Sequence, residues 1–263
     1  MVQTSHLKID RDGPVARVTL NRPDLHNAFD DNMVKLLSHS AQVLSGDKKV
    51  RVIVLAGEGK SFCAGADLNW MQRMVKYTEA QNVQDSRELA RMYEAWNEIP
   101  KPVVGRIHGA AFGGGVGLVS VCDVAAASAD AQFAFSEVRL GILPAVISPF
   151  VAAKIGAAAA RDLFLTGSRF SAARAQQIGL VHHVFPPDQL DERIGAILKA
   201  LLAGGPEAQA RIKSLLRETR GLPPEKVTAV TAETIARARV SPEGQEGMRA
   251  FLERRKPSWS GEA

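Results

Sequence analysis

Cysteine is nearly absent: the 263 residues hold two, Cys63 and Cys122, and they do not form a C-x-x-C pair. That excludes a disulfide framework and a thiolate zinc ribbon, and it fits a reducing compartment. An excess of one charge is also missing. Lys plus Arg number 33 against 28 Asp plus Glu, a net +5 spread along the chain rather than gathered in a basic tail. No nucleic-acid arm is therefore expected, although a mildly basic surface still concentrates a phosphate-bearing ligand by steering. Residues 1–10 lack the apolar core of a secretion signal, so a cytoplasmic location is expected. The stretch best suited to span a bilayer, Val103 to Cys122, carries Arg106, His108 and several glycines. It reads as buried strand, loop and helix, and no membrane partner is expected.

What is present is an ordinary globular composition, 46% hydrophobic and 23% charged, with enough chain for one large domain or for a domain of roughly 190 residues plus a helical appendage. Leu7 to Asp10, the Asp12-Gly13 turn and Val15 to Leu20 predict a hairpin. A helix follows from Asp30 to Ser45, then a buried strand from Val50 to Ala56. Helical periods run from Asp67 to Lys76 and from Glu79 to Glu98, where Pro100 and Pro102 stop the second helix. Val103 to Ile107 is a further buried strand that enters a glycine loop, a helix over Val116 to Cys122, and strands at Asp123–Ser128 and Gln132–Phe135. Strand, glycine loop, helix and strand in series define an α/β fold. Beyond a last strand at Gly179–Phe185 only helical patterns remain.

Several motifs fail on spacing. Gly59-Lys60-Ser61 ends like a phosphate-binding P-loop, but the required upstream glycine position is Val54. Gly115-Val116-Gly117 opens like a dinucleotide fingerprint whose third glycine is Ser120, which leaves a nucleotide-binding fold as the alternative. His182-His183 lacks companion ligands, so no metal site is expected.

Two features carry chemistry. Small residues after the buried strand, Ser61 to Ala66, let backbone N–H groups approach a ligand, with Asp67 as N-cap of the next helix. Gly113-Gly114-Gly115 puts bare amides at a helix N-terminus, where unpaired N–H groups and the helix dipole favour negative charge. The alternative for both is a close-packed turn with no ligand. Glu137 stands in an apolar neighbourhood, which raises a carboxyl pKa towards neutrality and suits a general acid or base. An ion pair with Arg139 is the competing reading.

Asn21-Arg22-Pro23, Ala64-Gly65-Ala66-Asp67, His108 through Gly115, Ser136 through Gly141 and Phe251 through Lys256 resemble, in order and spacing, the crotonase (enoyl-CoA hydratase/isomerase) superfamily. The resemblance implies a spiral of ββα units over residues 1–195, a helical trimerisation region over 196–263, and homotrimers or dimers of trimers. It implies an acyl-CoA thioester as substrate and no cofactor, coenzyme A being part of that substrate. It places the oxyanion amides on Ala64 and Gly114 and the acid–base carboxylate on Glu137. Around coenzyme A it places Arg22, His26, Ala66, Asp67 and Leu68, with Phe251 and Arg254 from a neighbouring subunit.

The chain departs from the family at Gly117, where hydratases carry a first glutamate. One carboxylate suffices for a 1,3-proton shift, so an isomerase is the alternative to a hydratase, and a non-catalytic CoA-binding protein is the alternative from another class. The space left by Gly117 is expected to admit a bulkier acyl chain. Residues 66–71, 112–118 and 143–149 resemble bacterial methylglutaconyl-CoA hydratase-like proteins of leucine or terpenoid catabolism, which suggests a branched or carboxylated enoyl-CoA, with Arg139 as a candidate partner for a second carboxylate.

Overall fold

The computed structural model describes residues 2–260. The chain opens with β1 (Val2–Gln3), β2 (Leu7–Asp12) and β3 (Val15–Leu20), then runs through helix α1 (Asp31–Gly46) to β4 (Val52–Gly57). Helices α2 (Leu68–Met74) and α3 (Glu79–Glu98) precede β5 (Val103–Ile107), β6 (Ala110–Phe112) and α4 (Gly114–Val121). Strands β7 (Val124–Ser128) and β8 (Gln132–Ala134) lead to α5 (Ser148–Thr166), β9 (Arg169–Ser171), α6 (Ala172–Gln177) and β10 (His183–Phe185). A seven-stranded sheet has the order β1-β2-β3-β4-β5-β7-β10, and a three-stranded sheet the order β6-β8-β9. In β5-β6-α4 and β7-β8-α5 the first strand joins the large sheet and the second the small one. These are the ββα units of a spiral.

The β2–β3 hairpin pairs Asp12 with Val15 across a turn in which Gly13 takes φ 52°, a conformation that glycine adopts without steric cost. β4 is buried along its whole length because both of its faces are covered. Ile53 and Leu55 join the main core with Leu37, Ala41, Met92 and Trp96. Their alternates Val52 and Val54 face Leu190 and Ile194 on the far side. Asp30 caps α1 by accepting from the Met33 N–H at 2.8 Å, and Thr78 with Gln81 forms a capping box on α3.

After β10 come α7 (Leu190–Ala203), α8 (Pro206–Glu218), α9 (Pro224–Val240) and α10 (Pro242–Leu252). The helical tail expected from residue 196 therefore begins inside a helix: α7 lies against the sheet through Leu190 and Ile194, and the chain turns away at Gly204-Gly205. Helices α8 and α9 bury no residue in the single chain. Arg51 ties their start to the core by donating to the Gly204 carbonyl at 2.6 Å, and Lys213 pairs with Asp123 at 2.7 Å.

The strand expected over Gly179–Phe185 shortens to His183–Phe185. Gly179 at φ 83° and the Leu180 N–H bond to the Ala175 carbonyl spend its first residues on terminating α6. The stretch Val103–Cys122 divides into β5, β6 and α4, and among the described residues no helix is long and apolar enough to cross a membrane.

Candidate active site

Strand pairing brings three loops together. β6 and β8 run parallel, with Phe112 opposite Ala134, so both deliver their C-terminal ends to the same edge of the small sheet. From one end emerges the glycine turn, from the other the 3₁₀ turn Ser136–Leu140 that carries Glu137. The Gly113 N–H donates to the Ala134 carbonyl at 2.9 Å and locks the two ends side by side. The loop after β4 joins them through a bridge between Cys63 and Ala111, with the Phe112 N–H on the Cys63 carbonyl at 2.9 Å. A side chain at position 115 would run into that Cys63 carbonyl, which is why α4 starts on bare glycine.

The backbone of the Cys63–Asp67 loop decides which amides are free. The Ala64 N–H, expected as an oxyanion donor, donates instead to the His26 carbonyl at 2.9 Å. One residue later, Ala66 bridges Phe29 in parallel fashion: the Phe29 N–H bonds the Gly65 carbonyl and the Asp67 N–H the Phe29 carbonyl, both at 2.7 Å. In such a bridge the peptide groups of the central residue point the other way. The Ala66 N–H meets no acceptor among the described residues, and neither does the Gly114 N–H in the first turn of α4. The Ala64 N–H is thus already spent within the chain, and the amides left free here are those of Ala66 and Gly114.

Glu137 reaches the glycine turn from the third loop. Its Oε1 lies 3.0 Å from the position a Cβ at Gly113 would take, and its Oε2 is buried without a hydrogen-bond partner among the described residues. Burial pushes its pKa above the ordinary carboxyl value, and its own backbone N–H only partly offsets this. The ion pair with Arg139 does not form, since the Arg139 side chain packs alongside Gly167.

Tyr93 and Ile147 pack against Gly117 beneath the glycine turn, and sequence reasoning gave neither of them a role. Tyr93 sits with Met92 and Trp96 on the buried stripe of α3, indistinguishable by spacing from core. A Cβ on Gly117 would meet the Ile147 Cγ2 methyl and stand 2.8 Å from both Cε1 and Cζ of Tyr93. The extra room expected at Gly117 is therefore absent, because these two side chains fill it.

Of the residues assigned to coenzyme A, Arg22 and Asp67 hold each other. The Arg22 guanidinium pairs with Asp67 at 2.8 Å and with Asp30 at 3.2 Å, and donates to the Ala28 carbonyl at 2.8 Å. Asp67 meanwhile caps α2 through the Asn69 and Trp70 N–H groups. His26 adopts φ 49° and places Nδ1 3.0 Å from the Ser61 hydroxyl. Leu68 and Ala66 are exposed at the rim. Phe251 and Arg254, at the end of α10, are exposed and belong to a bundle with α8 and α9 rather than to this rim. Among the described residues no three His, Cys, Asp or Glu side chains cluster as metal ligands. The nitrogen Nδ1 of His182 accepts from the Ala125 N–H at 3.0 Å.

A ββα spiral in which two unpaired amides accompany one desolvated carboxyl defines the crotonase class of acyl-thioester enzymes. The sequence profile described as enoyl-CoA hydratase/isomerase matches residues 10–262, and the chain belongs to that family. The 2,3-dehydroadipyl-CoA hydratase of Escherichia coli is 30% identical over 98% of this chain and 99% of its own length. Among solved structures, an enoyl-CoA hydratase from Shewanella pealeana superposes with TM-score 0.94 at 40% identity, covering 97% of this chain and 96% of that one. Pseudomonas aeruginosa AtuE superposes with TM-score 0.93 at 37% identity, covering 97% and 99%.

Proposed function

We propose that this protein hydrates a 2-enoyl-CoA thioester with Glu137 as its single acid–base carboxyl. The observation that carries this reading is the buried, unpartnered Oε2 of Glu137 beside the glycine turn whose Gly114 N–H, like that of Ala66, is free. The two amides receive the thioester oxygen, and each stabilises the enolate-like charge by about 3 kcal/mol relative to a site without it. One oxygen of the neutral Glu137 carboxyl gives its proton to C2. The other takes a proton from the water whose oxygen bonds to C3. The π bond and one water O–H bond break, C–H and C–O bonds form, and the carboxyl ends protonated as it began. A raised pKa favours this neutral form.

The substrate we propose is branched or carboxylated, of the methylglutaconyl-CoA type, with leucine catabolism as its setting. The similarity to a hydratase of 2,3-dehydroadipyl-CoA, itself a dicarboxylic ester, supports this, and exposed Arg139 on the Glu137 turn is a cation within reach of the site mouth. His26, Leu68 and the loop clamped by Arg22 and Asp67 form the coenzyme A rim in this reading, and no further cofactor takes part. We also assign helices α8–α10 to a homotrimer or a dimer of trimers. They leave Ile212, Leu216, Ile235, Val240, Phe251 and Leu252 exposed in one chain, and a neighbouring subunit would bring Phe251 and Arg254 to the rim. The expected compartment is the cytoplasm.

Isomerisation of a 3-enoyl to a 2-enoyl ester is the second reading, favoured by the lack of a second carboxylate at Gly117. Incubation with 2-enoyl-, 3-enoyl- and 3-methylglutaconyl-CoA in heavy-oxygen water separates the two. Label in a 3-hydroxyacyl product supports hydration, and unlabelled conversion of the 3-enoyl ester replaces it with isomerisation. No turnover of any ester would refute both.

A further inference from the structure

The first turn of α4 has no side chain of its own with which to hold its setting. Its N-cap Gly113 lies at φ 49° and supplies no capping side chain, and Gly114 and Gly115 follow. Glycine has more backbone freedom to lose than any other residue, so an all-glycine helix start needs outside restraint. The Gly113 N–H is held by the Ala134 carbonyl, and the turn beyond it is reached by a polar side chain from another element: the Tyr93 hydroxyl, arriving from α3, donates to the Gly114 carbonyl at 2.7 Å.

Everything around Tyr93 fixes that hydroxyl in place. The side chain is fully buried. Its ring meets Phe29 edge-on at a centroid distance of 6.5 Å and Phe150 at 6.0 Å. The ring also lies against Gly117, in the space a side chain there would need. Burial pushes the Tyr93 pKa well above its ordinary value, and the neighbouring Cys63 and Glu137 push it the same way, so the hydroxyl keeps its proton and remains a donor.

We infer that Tyr93 is a positioning residue of this site: its hydroxyl holds the Gly114 carbonyl, and with it the first turn of α4, at the setting in which the Gly114 N–H donates to the thioester oxygen as negative charge builds on it. Gly117 is then the glycine that lets the Tyr93 ring reach that carbonyl, rather than merely a position that lacks a glutamate. The inference rests on the oxyanion role proposed above for Gly114.

The test is Tyr93→Phe, which keeps the ring and removes the hydroxyl. Turnover, KM, thermal unfolding and the binding of two probes are measured: butyryl-CoA, a saturated ester, and acetoacetyl-CoA, whose enolate is read by its near-ultraviolet absorption. Loss of one hydrogen bond to the restraint should lower kcat about fivefold and leave KM within about twofold. The enolate fraction of bound acetoacetyl-CoA should fall while butyryl-CoA affinity stays. A folded variant with wild-type kcat and enolate fraction overturns the inference, and so does an equal loss of affinity for both probes, which marks a structural role. If Tyr93→Phe does not fold, 3-fluorotyrosine at position 93 keeps the ring and strengthens the donor. The enolate fraction should then rise, and an unchanged fraction overturns the inference. Glu137→Gln run in parallel keeps the two readings apart. Its loss of turnover beside an unaffected Tyr93→Phe sinks only the role of Tyr93. A wild-type protein that neither turns over an enoyl ester nor enolises acetoacetyl-CoA sinks the proposed function and this inference with it.

Discussion

The Ile147 Cγ2 methyl occupies the space into which any side chain at Gly117 would grow. A methyl group added there has nowhere to go without moving Ile147 or the Tyr93 ring. Gly117→Ala gains helix propensity of up to about 1 kcal/mol, but overpacking a tight core costs about 1–3 kcal/mol. The net expectation is a destabilisation of about 1 kcal/mol by urea unfolding. Ile147→Ala, harmful alone through the cavity it leaves, should offset part of that cost when combined. The double mutant should deviate from additivity by at least 0.5 kcal/mol in the stabilising direction, the range seen for side chains in contact. Additive effects would show that the two positions do not share the space.

Ala64 and Ala66 differ in whether their N–H groups are already spent. Replacing each alanine by lactic acid exchanges the amide for an ester, which removes the N–H and weakens the preceding carbonyl, Cys63 or Gly65, as an acceptor at both positions alike. At position 66 the change should lower kcat about 100-fold with little further effect on stability, since a free donor facing developing charge is lost. At position 64 it should cost about 1 kcal/mol more stability, through the bond to His26, and spare turnover. The reverse pattern would return the donor role to Ala64.

How far the chain could be read in advance follows from how local each signal is. Helix α3 was legible to the residue because its period is long and Pro100 and Pro102 end it. Asp67 announced its cap by standing just ahead of an apolar period, whereas Asp30, read as the first residue of α1, turns out to be its N-cap. Glu137 was legible as a carboxyl without polar company. Strands β6 and β9 were not, for three residues carry no period and exist because β8 pairs with both. The choice between Ala64 and Ala66 was equally out of reach. Both are small residues behind the same strand, and carbonyls far upstream, at His26 and Phe29, decide which amide is used. Tyr93 and Ile147 were hidden for the opposite reason, since residues that pack beneath a glycine turn look like core.

Glu137 should report its burial through pH. Its folded-state pKa is raised, so between the ordinary carboxyl value and the raised one the folded protein binds more protons than the unfolded chain, and stability falls as pH rises through that window. Glu137→Gln removes this penalty. The variant should melt higher than wild type at neutral pH, with the difference vanishing in acid below the ordinary value. Its kcat should drop at least 100-fold, as expected when an acid–base group is removed. Calorimetry across pH reads the first effect. A variant that melts lower than wild type at neutral pH would contradict the desolvated carboxyl.

Arg22 and Asp67 present a choice between holding the loop and holding coenzyme A. Their side chains are 13% and 5% exposed, and the ion pair between them is backed by Asp30, the Ala28 carbonyl and two α2 amides. Removing one partner leaves a nearly buried charge uncompensated, which costs about 3–5 kcal/mol, whereas removing both costs less than the sum. Arg22→Met should therefore be strongly destabilising, and Arg22→Met with Asp67→Asn should recover part of the loss. A contact to a coenzyme A phosphate would behave differently. Arg22→Met would then raise KM and flatten its salt dependence while leaving the melting temperature nearly unchanged. The geometry favours the clamp, because the Arg22 donors are already committed before any ligand arrives.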